Sequence, residues 1–251
     1  MNSTTPTHMM HDDEYGCCGQ SKSVATPSHV ERNNDDVTYL SDWKQFQLLF
    51  RRLNCAVETE PVCSRHEMDV AHLLSSSEKA QLGDIRSAAR RHSRLSGSLA
   101  AKRAARRLQP NTLEKQLSIL RTPDGKPEFD QFPHLHLSIS HANDIALACV
   151  SHRPCGVDLE YMERRPSSLE RYFFSPKERE WIHNGSRHPN VNLHILWTRK
   201  EAISKLLGKG AQIPFKSILA LTTDNHFSLH SFVMERYAVS LSFFKETEAD
   251  K

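Results

Sequence analysis

Three neighbouring stretches decide the reading of this chain: His134-Leu135-His136-Leu137-Ser138-Ile139-Ser140, Ile145-Ala146-Leu147-Ala148-Cys149-Val150, and Gly156-Val157-Asp158-Leu159-Glu160. The first alternates, so Leu135, Leu137 and Ile139 share one face of a strand. The second is an unbroken apolar run, as a strand buried on both faces requires. Pro154, Cys155 and Gly156 interrupt the chain, and the third stretch alternates again, with Val157 and Leu159 on one face and Asp158 and Glu160 on the other.

Helical signals lie on both sides of these strands. Downstream, Ser175-Pro176-Lys177-Glu178 starts a helix, with Ser as cap, Pro at the first helical position and Glu reaching back. A further helix is expected over Leu193 to Leu207, ended by Gly208. Strands are expected at Ser217 to Thr222, Phe227 to Val233 and Tyr237 to Phe243. Upstream, Trp43, Phe46, Phe50 and Leu53 recur at helical spacing behind a Ser41 cap. Leu53 to Glu58 reads as a strand, and Ser77 to Leu82 and Ile85 to Leu108 as helices, the second interrupted near Gly97. Thr122-Pro123-Asp124-Gly125 is a turn. Helices and antiparallel strands mix without regular βαβ alternation, which is an α+β pattern. No repeat with a period of 20 to 50 residues is visible. Residues 1–37 are rich in Ser, Thr, Asn, Asp and His and are expected to form a disordered tail.

The chain has 251 residues, 25% charged and 38% hydrophobic, with a net charge of +3. That length suits one large domain or two small ones. The charge is too mild to imply a nucleic-acid partner. The stretch Arg86 to Arg107 is rich in Lys and Arg and has no Asp or Glu. It reads as a solvated helix face or as a guide for phosphates or an acidic protein. Aromatic interleaving, which favours single-stranded nucleic acid, is absent from it. The N-terminus lacks a basic-then-apolar leader, and no run approaches a membrane span. A soluble cytoplasmic protein is therefore expected, with Cys17, Cys18, Cys55, Cys63, Cys149 and Cys155 reduced. His134 and His136, and Cys63, His66 and His72, lack a full set of zinc spacings.

The residues that carry chemistry begin with Asp158 and Glu160. Two carboxylates on one strand face repel each other, and a cation bound by oxygen ligands relieves this; the plainer alternative is a solvated strand edge. Glu201 and Lys205 are one helical turn apart. They form an exposed ion pair, or they reach a metal and a phosphate respectively. Leu206-Leu207-Gly208-Lys209-Gly210 ends the helix and lacks the spacing of a phosphate-binding P-loop. Ser140 and His141 leave the sheet together and could grip a polar ligand. Gly125-Lys126-Pro127 is by itself a plain turn.

In order and spacing, Gly-Lys-Pro, Ser-Ile-Ser-His, Gly-Val-Asp-Leu-Glu, Phe-Phe-Ser-Pro-Lys-Glu, Trp-Thr-x-Lys-Glu-Ala-x-x-Lys and Gly-Lys-Gly resemble the 4'-phosphopantetheinyl transferase superfamily. The likeness runs from about Arg121 to Gly210. It is to the monomeric type that serves peptide and polyketide synthetases, the surfactin-synthetase-activating class, in its Trp and Lys-Glu-Ala branch. The resemblance implies a pseudo-dimer of two similar α+β halves, residues 38–153 and 154–251, with the active site in the cleft between them. It implies magnesium, or manganese in its place, on Asp158, Glu160 and Glu201. It implies phosphate contacts from Lys126, Ser140, His141 and Lys205. Coenzyme A is then the co-substrate and an apo acyl or peptidyl carrier protein the partner, of fatty-acid, polyketide or peptide synthesis. Glu201, or a water held by the metal, is the expected proton acceptor for the carrier serine; Asp158 and Lys205 complete the catalytic set. Glu178 matches a further family acid, and its capping box explains it equally well. The competing reading is a catalytically inactive module that binds coenzyme A or the carrier. Such a degenerate member is expected to have lost one of the three acids, and all three stand here.

Overall fold

The computed structural model describes residues 37–51, 53–62, 69–184, 188–210, 213–221 and 226–245. The expected tail lies outside these up to residue 36, as do Cys17, Cys18, Cys63 and His66. The elements in chain order are β1 (Val37–Leu40), α1 (Trp43–Arg51), β2 (Cys55–Pro61), α2 (Ser76–Gly83), α3 (Ala88–Leu108), β3 (Ile119–Arg121), β4 (Pro127–Phe129), β5 (His136–Ala142), β6 (Ile145–Ser151), β7 (Cys155–Tyr161), α4 (Ser167–Phe173), α5 (Pro176–His183), α6 (Pro189–Leu206), β8 (Phe227–Met234) and β9 (Tyr237–Phe244). The fold is α+β.

Two sheets carry the core. One has the order β2-β6-β5 and is antiparallel; the other has the order β1-β8-β9-β7, with β1 parallel to β8 and the rest antiparallel. β3 and β4 pair as a separate hairpin. Helix α3 lies across β2 and β6, and α6 lies across β7 and β9. Val157 and Leu159 of β7 face a buried cluster shared with Phe46 and Phe50 of α1, Leu147 of β6 and Leu241 of β9. The alternation expected in β7 is therefore present, with its acids on the side toward α6. β5 and β7 meet where the sheets adjoin. There the Val157 amide donates to Ser138 Oγ at 2.9 Å.

One device occurs twice. Ser75 and Glu78 form a capping box at the start of α2, and Lys102 of α3 meets the same glutamate at 2.8 Å while donating to the carbonyls of Leu73 and Glu114. Ser175 and Glu178 cap α5, and Lys200 of α6 meets Glu178 at 2.8 Å while donating to the carbonyls of Phe215 and Ile218. Both lysines are fully buried. Burial lowers the proton affinity of each, and the facing glutamate opposes that.

Several expectations need correction. α3 runs unbroken through Gly97, because a single helical glycine costs only about 1 kcal/mol against alanine. A Cβ there would sit 2.7 Å from His141 Nε2, so the glycine lets α3 rest on β5. Over Ser217 to Thr222, the described residues form a 3₁₀ turn at Phe215–Ser217 and then a segment that belongs to no helix or strand. Ile218 and Ala220 are buried and Leu219 is exposed. That alternation seals the side of α6 without a ladder. β1 and α4 gave no sequence signal, and the β3–β4 hairpin gave only its turn, Thr122 to Gly125. Val37, the last residue of the expected tail, is buried, and β1 pairs across the chain with the sheet that holds β7. The basic stretch of α3 is not a free field either: Arg103 pairs with Glu60, Arg106 with Glu114 and Arg107 with Glu58.

Lys200→Met should lower the unfolding free energy by about 3–5 kcal/mol, because it leaves the buried Glu178 carboxylate without its cation. Urea unfolding monitored by tryptophan fluorescence measures this, and a loss below about 1 kcal/mol would contradict the buried pair.

Candidate active site at the seam of the two sheets

Gly156 sets the site. A Cβ on it would overlap the Ala202 carbonyl oxygen and lie 2.7 Å from the Leu206 amide nitrogen. The backbone of α6 therefore rests directly on β7. Glu201 and Lys205 flank that contact and face the acidic side of the strand. Lys205 Nζ lies 2.7 Å from Asp158 Oδ1 and donates to Ser140 Oγ at 2.9 Å. Ser140 Oγ donates to the same Asp158 oxygen at 2.7 Å. Residues from β5, β7 and α6 thus close a triangle across the seam. Asp158 is 4% exposed, and its Oδ2 is buried without a hydrogen bond.

The other two acids are electrically coupled to Asp158. Burial pushes the Glu160 carboxyl up to about 7; Asp158 and Glu201 add to this, and Arg165 opposes it. Burial likewise raises Glu201, with Asp158 adding and Lys205 opposing. Arg165 meets Glu160 at 2.5 Å and lies over the Trp197 ring, 4.6 Å from its centre. Sequence reading missed Arg165, since a loop arginine carries no periodic signal; Trp197 of the Trp-Thr-x-Lys-Glu-Ala stretch holds it in place.

His141 lies beside the triangle. Burial pushes its imidazole down to about 4, and the charges of Lys205, Arg121 and Arg94 add to this. The ring is therefore neutral at pH 7. Its Nε2 is 2.7 Å from the Ser93 carbonyl, which can only accept, so Nε2 carries the proton. Arg94 and Arg121 were also missed by sequence reading. Arg121 is brought down to about 10 by burial, with Arg94 adding to it, and its Nε is buried without a hydrogen bond. Lys126 stands farther out, its stem against Gly208 and its ammonium 3.3 Å from Glu128. Glu178 accepts from the Ser175 amide and pairs with Lys200 at 2.8 Å, away from the three acids.

Among the described residues, no three His, Cys, Asp or Glu side chains already converge as a metal-binding group. The donor set nevertheless suits a hard divalent ion. It is all oxygen, one buried oxygen of Asp158 lacks a partner, and Glu160 and Glu201 hold their protons more tightly than free carboxyls do.

Comparison with known proteins bears on the same region. Residues 154–250 match the sequence profile of the 4'-phosphopantetheinyl transferase superfamily. A 4'-phosphopantetheinyl transferase of Bacillus subtilis is 32% identical over 109 residues, 42% of this chain and 48% of that one. The 4'-phosphopantetheinyl transferase gsp of Aneurinibacillus migulanus is 32% identical over 96 residues, 37% of this chain and 39% of that one. This chain thus spans about half or less of the length of these relatives. A crystal structure of a holo-(acyl-carrier-protein) synthase from Bacillus anthracis in complex with CoA (3',5'-ADP) is 20% identical, with a TM-score of 0.34, covering 39% of this chain and 92% of that one.

The raised Glu160 carboxyl has a consequence for stability. Below its ordinary 4.5 the group is protonated whether the chain is folded or not. Between about 4.5 and about 7 the folded protein keeps a proton that the unfolded chain releases, so stability falls as pH rises through that window. Glu160→Gln should flatten this part of the profile. Urea midpoints from pH 4.5 to 7.5 without divalent ions test it, and an identical slope in the variant would refute it.

Proposed function

We propose that this chain transfers the 4'-phosphopantetheine group of coenzyme A to a serine of an apo carrier protein, releasing 3',5'-ADP. The observation that carries this reading is the Ser140–Asp158–Lys205 triangle, flanked by Glu160 and Glu201 on one side and by neutral His141 with Arg94 and Arg121 on the other. Acids stand next to cations, as a site for a metal–pyrophosphate pair requires. The sequence likeness over residues 154–250 supports the same assignment.

Asp158, Glu160 and Glu201 would hold magnesium or manganese, which supplies Lewis acidity and charge neutralisation at the pyrophosphate when bound. The chain's own groups do the rest. Lys205, with Lys126, offers positive charge to the phosphates. Arg94 and Arg121 extend that charge beyond His141, and burial makes their interaction with a phosphate stronger than on an open surface. His141, with Nε2–H fixed on the Ser93 carbonyl, presents a neutral ring that does not compete for the anion's counter-charge. Glu201 takes the proton of the attacking carrier serine, a role suited to a carboxyl whose proton affinity is raised by burial.

The chain is read as a pseudo-dimer with halves at 38–153 and 154–251. Cys55-Ala56-Val57-Glu58-Thr59-Glu60 of β2 lines up with Cys155-Gly156-Val157-Asp158-Leu159-Glu160 of β7, sharing Cys, Val and the final Glu and an acid at the fourth place. The repeated capping-box glutamate and buried lysine support the same pairing. β1 is the exception, since it opens the first half and pairs in the sheet of the second. The Trp197 and Lys200-Glu201-Ala202 stretch favours the peptide- and polyketide-serving branch, acting as a monomer.

Glu201→Gln should lower the single-turnover rate of arm transfer to an apo carrier by at least 100-fold while weakening coenzyme A binding far less. Asp158→Ala should abolish transfer in magnesium. Mass spectrometry of a panel of apo carrier proteins, incubated with coenzyme A and magnesium, reads the added arm. Wild-type protein that binds coenzyme A but modifies no carrier would favour the inactive binding module. Full transfer by Glu201→Gln would remove this helix from the active site.

A further inference from the structure

The two matching halves differ at one point that bears on how the site is kept before a cation arrives. Lys102 and Lys200 hold corresponding places, because each meets the capping-box glutamate of its own half. One residue further on, Arg103 then corresponds to Glu201. Five residues on from the second lysine is Lys205, and five on from the first is Arg107. On the strands, Glu58 corresponds to Asp158, and the two share the name Glu60 and Glu160 at the next outward position.

In the first half the acids are closed. Arg107 pairs with Glu58 through Oε1, Gln47 donates to Glu58 Oε2 at 2.9 Å, and Arg103 pairs with Glu60. Every oxygen of Glu58 therefore has a partner. In the second half, Lys205 meets only Oδ1 of Asp158, and Oδ2 is bare although the residue is 4% exposed. Where the first half has the cation Arg103, the second has the acid Glu201. Three carboxylates thus share Lys205 and Arg165. The Lys205 side chain is 26% exposed, so it has open space beside it.

We propose that Lys205 is a displaceable placeholder: its ammonium occupies Asp158 while no divalent cation is bound, and gives way to the cation. This deepens the reading above and rests on it. An ammonium and a divalent ion cannot both contact one carboxylate at close range without strong mutual repulsion. A lysine is suited to release, because it holds by a single mobile point charge on a flexible stem. The first half has arginines in these places, whose rigid, always charged guanidinium groups give way less readily. Coenzyme phosphates would offer Lys205 a second anionic partner, so that its departure from Asp158 would leave no uncompensated charge.

The test is a Mn2+ titration of the full chain without coenzyme, with free ion read by electron paramagnetic resonance and folding checked by circular dichroism. Lys205→Met should bind Mn2+ at least fivefold more tightly than wild type, and its melting temperature should rise more on adding the ion. Lys205→Arg, which copies the closed half, should bind at least fivefold more weakly. Lys126→Met removes a charge that does not touch Asp158 and should change affinity less than twofold. Lys205→Met binding no more tightly than wild type overturns the proposal, as does an equal gain in Lys126→Met, which would make the effect one of general charge. Should Lys205→Met fail to fold, Lys205→Arg decides, and wild-type affinity in it overturns the placeholder. Wild-type protein that binds no Mn2+ even with coenzyme A present removes the metal reading and the placeholder with it. Wild-type binding without the expected order among the variants removes the placeholder alone.

Discussion

Helix α6 lies on strand β7 at van der Waals distance because residue 156 has no side chain. With any other residue there, the Ala202 carbonyl and the Leu206 amide would have to move away from the strand. The contact fixes the height and rotation of the helix at once, since two of its backbone groups are involved. Glu201 and Lys205 then reach the acidic face of β7 without further adjustment. Ser140 arrives from β5, because that strand meets β7 where the sheets adjoin. The triangle of Ser140, Asp158 and Lys205 is a consequence of that packing. Interior packing is dense enough that a shift of the helix by a methyl group would be felt throughout the site.

A second constraint keeps α6 from sliding. Lys200 is buried and bound to Glu178 and to two carbonyls of the segment after the helix. A buried pair of this kind adds little net stability, since desolvation offsets most of the attraction. Its effect is on register: any translation of α6 would leave a charge unpaired in the interior. Lys102 does the same for α3. The two long helices, which carry Glu201, Lys205 and Arg94, are each fixed to a short capped helix by one lysine.

The electrostatics of the site follow from burial more than from any one partner. Desolvation is the leading influence on His141, Glu160 and Glu201, and it favours the uncharged form of each. The molecule therefore has acids that resist ionising beside a histidine that resists protonation. A bound cation and a phosphate would reverse both tendencies together. The metal and pyrophosphate of the proposed reaction would bring such opposite charges together.

The sequence alone determined the elements around the site. Alternation fixed which side of β7 holds Asp158 and Glu160, because a strand turns successive residues to opposite faces regardless of what covers them. The Ser-Pro-x-Glu signal fixed the start of α5, because capping is satisfied within four residues. Helix spacing put Glu201 and Lys205 on one face. All of these are local, and all are legible in a window shorter than twenty residues. The match between β2 and β7 was also present in the sequence, at a separation far longer than the periods of small repeats. The tertiary structure decided the rest. That Arg94, Arg121 and Arg165 surround the site, that Glu178 is held by Lys200, and that β1 crosses to the sheet of β7 depend on contacts between distant segments. No propensity or spacing encodes such contacts, because the free energy that selects them comes from burying whole faces of helices and sheets together.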